Sequence, residues 1–129
     1  MPRGYSQERT SVHNLHYHFV WCPKYRKPVL TDEVANRLEQ LIEEKTDELG
    51  LDILRLAINP DHVHLFITGN PKLTPNKIIQ QVKGYTSRNL REEFDFGLPS
   101  LWTRSYFVSS AGEVSSQTIE EYIEAQTGR

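Results

Sequence analysis

The sequence predicts an α+β fold: an antiparallel sheet with the ferredoxin-like βαββαβ order, helices on one face, and one further helix near the C-terminal end. Three observations predict it. Short stretches alternate apolar and polar residues at the period of a strand, two longer stretches repeat apolar residues at helical spacing, and Pro, Gly and Asn fall between them. No repeat, linker or low-complexity tract interrupts the order.

Residues 12–21 read as the first strand, with Leu15, Tyr17, Phe19 and Trp21 on one face and His16, His18 and Val20 on the other. Pro23 and Pro28 stop it. Thr31 or Asp32 is placed to cap a helix in which Val34, Leu38, Leu41, Ile42 and Leu49 recur at helical spacing, and Gly50 to end it. Residues 51–58 form a second strand through Ile53, Leu56 and Ile58, turning at Asn59-Pro60 into a third that contains His62. Pro75 suits the first turn of a second helix that buries Ile78, Ile79, Val82 and Leu90. Gly97 and Pro99 close that region, Tyr106, Phe107 and Val108 supply the fourth strand, and residues from about 115 to 127 the last helix. In this split order the first and third strands are central neighbours. The helices cover one sheet face and leave the other open.

Length and charge bound the function classes. A chain of 129 residues fits one domain, 1–129, with a single modest core. One cysteine, Cys22, excludes an intrachain disulfide framework and suits a reducing compartment. No apolar run approaches the roughly 18 residues of a membrane span, and the first residues carry no hydrophobic signal region, so a soluble cytoplasmic protein with no membrane partner is expected. The formal net charge of −2 argues against a uniformly basic nucleic-acid surface. The charge is segregated, however. Acids crowd Glu43 to Glu48 and Glu120, Glu121 and Glu124, whereas the stretch from Lys72 to Arg91 contains Lys77, Lys83 and Arg88 and no acid.

The chemistry-bearing residues fall in two places. In the run Asn59-Pro60-Asp61-His62-Val63-His64-Leu65-Phe66-Ile67, strand alternation sends His62, His64 and Phe66 to one face. In the last helix Tyr122 and Gln126 are four residues apart and lie one above the other. Two imidazoles and an amide oxygen make a metal site, and a phenol beside it is a candidate nucleophile. By intrinsic affinity, imidazoles favour zinc and the later transition metals. His16 and His18 have the same spacing, so periodicity leaves open which pair binds, and each piece taken alone also fits ordinary half-buried packing. Lys24, Arg26 and Lys27 after the first strand, with Lys83, Tyr85 and Arg88 on the second helix, are the candidates for gripping a phosphate backbone and stacking a base. A rival reading is a non-enzymatic nucleic-acid binder in which Tyr17, Phe19 and Phe66 stack bases on the sheet.

Five stretches carry a resemblance in order along the chain: His16-Tyr17-His18-Phe19-Val20-Trp21-Cys22-Pro23-Lys24-Tyr25-Arg26, then Pro60 through Leu65, Lys83-Gly84-Tyr85-Thr86-Ser87-Arg88, Leu101-Trp102 with Ser105-Tyr106-Phe107-Val108, and Tyr122 through Gln126. With these the chain resembles the single-tyrosine HUH transposases, the TnpA type of the insertion sequence 200/605 family. The resemblance implies that His62, His64 and Gln126 hold magnesium or manganese and that Tyr122 attacks a phosphodiester. It implies cleavage and rejoining of single-stranded DNA at hairpin-marked ends through a 5′-phosphotyrosine. It also implies a homodimer in which the tyrosine helix of one subunit often completes the partner's site, an arrangement the sequence does not distinguish from docking in cis. A relative that nicks DNA to process host repeats shares the same chemistry.

Overall fold

The computed structural model describes residues 15–110 and 115–127. Four strands form one sheet: β1 (His16–Trp21), β2 (Ile53–Asn59), β3 (His62–Thr68) and β4 (Phe107–Ser109). Helices α1 (Asp32–Glu48), α2 (Pro75–Glu93) and α3 (Ser116–Ala125) complete the fold. The strand order is β2-β3-β1-β4, every neighbouring pair antiparallel, which is the ferredoxin-like arrangement expected. Among the described residues, no helix is long and apolar enough to cross a membrane.

Alternation along β1 and β3 assigns the two faces. Phe19 and Trp21 pair in register with Leu65 and Val63, and all four are fully buried beneath α1 and α2 together with Leu38, Leu41, Ile42, Ile78, Ile79, Val82 and Leu90. Each such side chain contributes roughly 1.5–3 kcal/mol by leaving water, so this layer carries the fold. Val20, in the opposite phase of β1, belongs to a second, smaller cluster with Cys22, Ile119 and Ile123. That cluster is the seat of α3.

Local chemistry explains the element ends. Thr74 caps α2 by accepting from the Lys77 amide at 3.2 Å, with Pro75 at the first helical position, and Ser115 caps α3 by accepting from the Thr118 amide at 3.1 Å. Gly50, at φ 74°, supplies the left-handed residue after α1. Three expectations shift. The described part of β1 starts at His16, and expected strand residues 12–14 lie outside the described residues. The second strand begins at Ile53 and carries a register irregularity between Ile53 and Arg55, which turns Leu54 outward to 48% exposure, while Leu51 is buried before the strand starts. The fourth strand runs one residue later than expected, because Tyr106 instead turns over Phe19, ring centres 6.4 Å apart, and donates to Asn76.

Gly69 follows β3 where the backbone crosses β1 closely, its amide donating to the Leu15 carbonyl at 2.7 Å. A Cβ there would sit 2.8 Å from Leu15 Cβ and 2.9 Å from the Tyr17 ring. Gly69→Ala is therefore expected to lower stability by about 1–3 kcal/mol, as overpacking does. A urea midpoint equal to that of the unmodified protein would refute the close approach.

Candidate active site

The central strands present a row of rings on the sheet face opposite α1 and α2. His62 and His64 stand edge-on with ring centres 4.9 Å apart, His64 lies 5.7 Å from His18, and Phe66 lies 5.6 Å from both His18 and His16. Burial, then the neighbouring His62 and His18, lowers the His64 pKa to about 4, so its imidazole is neutral with a lone pair available at neutral pH. Burial and Arg55 lower His18 as well.

His62 is oriented by its sequence neighbour. Its Nδ1 lies 2.8 Å from Asp61 Oδ1, and because a carboxylate only accepts, Nδ1 carries a proton. Burial works to raise the Asp61 carboxyl, but hydrogen bonds from His62 and Arg26 outweigh it and hold Asp61 below the usual carboxylate range. Arg26 Nε donates to Asp61 Oδ2 at 2.7 Å, and its Nη1 reaches Glu124 Oε2 at 3.2 Å and Thr127 Oγ1 at 3.1 Å. Tyr25 and Arg26 both hold left-handed backbone, at φ 58° and 56°, so the turn after β1 is strained to bring this guanidinium inward.

On the same face α3 seats Ile119 and Ile123 on Val20 and Cys22, and the Tyr122 ring packs 6.1 Å from that of Phe107. Val20 is the register partner of His64, so α3 packs beside the histidine row. Tyr122 and Gln126 meet at Ser105: its Oγ is 3.0 Å from the Tyr122 hydroxyl and donates to Gln126 Oε1 at 2.8 Å. Gln126 is 4% exposed, and its Nε2 donates to the Tyr122 carbonyl at 3.1 Å. Burial raises the Tyr122 phenol above its ordinary value, and the Ser105 hydrogen bond works against that rise. Cys22 is fully buried and, chiefly for that reason, raised to about 12, which keeps it a thiol and fits its reading as a packing residue.

These residues fit a divalent ion. Among the described residues, no three His, Cys, Asp or Glu cluster to hold a metal. A site here therefore needs a donor of another type. Two imidazoles, one hydrogen-bonded to a carboxylate, and an amide oxygen with a second lone pair left after Ser105 are donors of the kind a divalent ion takes.

The six cations and aromatics expected at the nucleic acid divide. Lys24 lies against the Tyr25 ring at 5.4 Å and Lys27 is exposed, both in the turn beside the site. Arg26 forms the bridge just described, with Asp61 and Glu124 both reaching its guanidinium. Lys83 also has partners within the chain. Its Nζ donates to the Thr103 and Ser105 carbonyls at 2.7 and 3.0 Å, and burial lowers it to about 8. Tyr85 donates to Glu44 at 2.6 Å, and Tyr85 and Arg88 lie on α2, in the helical layer across the sheet from the histidines. Asp61 and Ser105 were given no role from sequence. An acid directly before His62 was one available signal; Ser105 stood in a stretch that carries the family resemblance, but nothing in its spacing gives it a role.

Residues 11–126 match the model of the family described as IS200-like transposases. The chain belongs to that family. The ISDra2 transposase TnpA of Deinococcus radiodurans is 32% identical over 133 residues, covering 98% of this chain and 94% of its own. A transposase for insertion sequence element IS200 from Salmonella typhimurium is 26% identical over 118 residues, covering 88% of this chain and 77% of its own. A crystal structure of a Deinococcus radiodurans chain assigned as a transposase superposes with a TM-score of 0.82 at 32% identity, over 98% of this chain and 96% of that one. A tyrosine transposase bound to a REP hairpin shares the fold, with a TM-score of 0.60 at 13% identity over 85% of this chain and 62% of that one. This member of the IS200/IS605 family, of TnpA type, is thus a DNA transposase and an enzyme.

Proposed function

We propose that this transposase cuts and rejoins single-stranded DNA at hairpin-marked insertion-sequence ends, with Tyr122 as the nucleophile and His62, His64 and Gln126 holding Mg2+ or Mn2+. The observation that carries the reading is the bridge from α3 to β3: Glu124 and Thr127, flanking Gln126, bind Arg26, which binds the Asp61 that orients His62. A helix of ten residues is marginal alone, and this bridge fixes its C-terminal turn relative to the histidines. The hairpin bound by the distant tyrosine transposase supports a structured DNA substrate here.

Bound at the three ligands, the cation would draw charge from a nonbridging oxygen of the scissile phosphate and leave open positions for it. Asp61 keeps the His62 proton on Nδ1 and so keeps Nε2 a donor atom. Tyr122 Oη forms a bond to phosphorus as the bond from phosphorus to the 3′ oxygen breaks. The phenol gives up its proton, the departing 3′ oxygen gains one, and no water is consumed. The products are a 5′-phosphotyrosine and a free 3′-hydroxyl, and a second 3′-hydroxyl reverses the step and joins strands without ATP.

The test is wild-type protein, labelled single-stranded hairpin DNA from the element's ends, and Mn2+ or Mg2+, resolved on a denaturing gel. A protein-linked band is expected. Hairpin binding with no adduct would favour a non-enzymatic binding module.

The proposal includes a homodimer, although α3 sits here on Val20 and Cys22 of its own chain. A mixed dimer of a Tyr122→Phe subunit with a His62→Ala, His64→Ala subunit separates the cases. Exchange of α3 unites the intact tyrosine with the intact histidines at one of two sites and restores part of the activity. A mixed dimer that forms and is inactive would show docking in cis, and a monomer by light scattering would refute the assembly.

A further inference from the structure

We propose that Ser105 is a positioning residue that sets the Tyr122 phenol and the Gln126 amide oxygen as one unit, with Lys83 as the clamp that fixes Ser105. This deepens the proposed function and rests on it. A serine hydroxyl has one hydrogen and two lone pairs. Ser105 Oγ lies 2.8 Å from Gln126 Oε1, an atom that only accepts, so the hydrogen is spent there. The contact at 3.0 Å with the Tyr122 hydroxyl therefore has Tyr122 as donor and Ser105 as acceptor. The phenol O–H is turned toward Ser105, and its lone pairs turn away from it. The two oxygens with the central roles in the reaction lie within two hydrogen bonds of each other, joined through one atom.

That atom is held from outside α3. Lys83 reaches from α2 and donates to the carbonyls of Thr103 and Ser105, with the Tyr106 ring 6.0 Å from its ammonium. The segment leading to Ser105 is pinned at three further points. The Thr103 amide donates to the Cys22 carbonyl at 3.0 Å, the Lys24 amide to the Leu101 carbonyl at 2.8 Å, and Trp102 Nε1 to Thr86 Oγ1 at 3.0 Å. Ser105 thus belongs to the rigid part of the molecule, α2 and the end of β1. The side chains it holds belong to a short terminal helix. Transfer of rigidity from scaffold to helix is the use of such a contact, because reacting groups lose rate steeply when displaced by an ångström. The Gln126 oxygen keeps a second lone pair, so its ligand role and its bond to Ser105 coexist.

The experiment compares Ser105→Ala and Ser105→Thr with wild type in three readouts. These are Mn2+ affinity of the DNA-free protein by calorimetry with MnCl2 alone, kcat and KM for single-strand cleavage of the hairpin substrate, and hairpin affinity by anisotropy. Ser105→Ala is expected to weaken Mn2+ binding and to lower kcat, each by about 10- to 100-fold, the usual loss when a group behind a metal ligand is removed. KM and hairpin affinity stay at wild-type values. Ser105→Thr, which keeps the hydroxyl, restores most of both. Ser105→Cys fills the same space with a poor hydrogen-bonding group; it is expected to behave as Ser105→Ala and replaces it should the alanine variant fail to fold. Wild-type Mn2+ affinity and kcat in the folded Ala or Cys variant would overturn the assignment of Ser105 while leaving the proposed function standing. A wild-type protein with neither Mn2+ binding nor adduct would overturn both.

Discussion

Tyr122→Phe is expected to leave no covalent protein–DNA adduct. The substitution removes one atom, the Oη proposed to form the bond to phosphorus, and keeps the ring that packs 6.1 Å from Phe107. Loss of an enzyme's nucleophile can cost on the order of 10⁶ in rate, which places residual cleavage below detection on a gel. The same atom is hydrogen-bonded to Ser105 and lies within reach of Thr103, so the stability loss is only about 1 kcal/mol. Hairpin affinity by anisotropy and the thermal midpoint should remain near wild type while the protein-linked band disappears. Ser105, the hydroxyl beside Tyr122, has its hydrogen spent on the Gln126 amide oxygen. A persistent band in the variant would assign the nucleophile elsewhere.

The sheet was legible because its signal is local. Alternation in residues 16–21 and 62–68 needs only the two-residue period of a strand, and the helical spacing of Ile78, Ile79, Val82 and Leu90 needs only one helix; each was buried as expected. The bulge in β2 was not legible, since Leu54 continues the apolar run and only its pairing with β3 shows that it points outward. Of the candidate site, spacing offered His62 and His64 no more strongly than His16 and His18, the family resemblance selected the pair along with Tyr122 and Gln126, and the contacts around them are made by residues distant in the chain. Arg26 was read as a surface cation because its partners, Asp61 and Glu124, lie 35 and 98 positions away. The partners of Lys83 were hidden for the same reason: a lysine on a basic stretch of helix reads as solvated, and only the fold places the Thr103 and Ser105 carbonyls at its end. Residues that hold reactive groups in place are often chemically ordinary, and their role is a property of position.

On the proposed metal site, replacing His62 or His64 by Ala is expected to weaken Mn2+ binding strongly, whereas His16→Ala leaves it intact. The three residues share one sheet face, and His16 and His18 repeat the spacing of His62 and His64, so only their surroundings distinguish them. His62 has a carboxylate that fixes its proton on Nδ1, and His64 is held neutral by burial and its neighbours. His16 instead packs on Phe66 with ring centres 5.6 Å apart. With three protein ligands, loss of one imidazole leaves two donors, and calorimetry should show at least about a 100-fold weaker ion, beyond the 10- to 100-fold typical of a group behind a ligand. Loss of Mn2+ binding in His16→Ala alone would move the site to β1. The His64→Ala variant has a second, independent signature. The folded His64 pKa, about 4, lies below its ordinary 6.5, so on acidification the unfolded chain takes up the proton first. Stability contributed at neutral pH is thereby lost progressively as pH falls from 6.5 toward 4 and is fully lost below the folded value. His64→Ala removes that term, and thermal midpoints between pH 6.5 and 4 should fall less steeply than in wild type. An unchanged slope would mean that the His64 ring is not buried against its neighbours as the geometry requires.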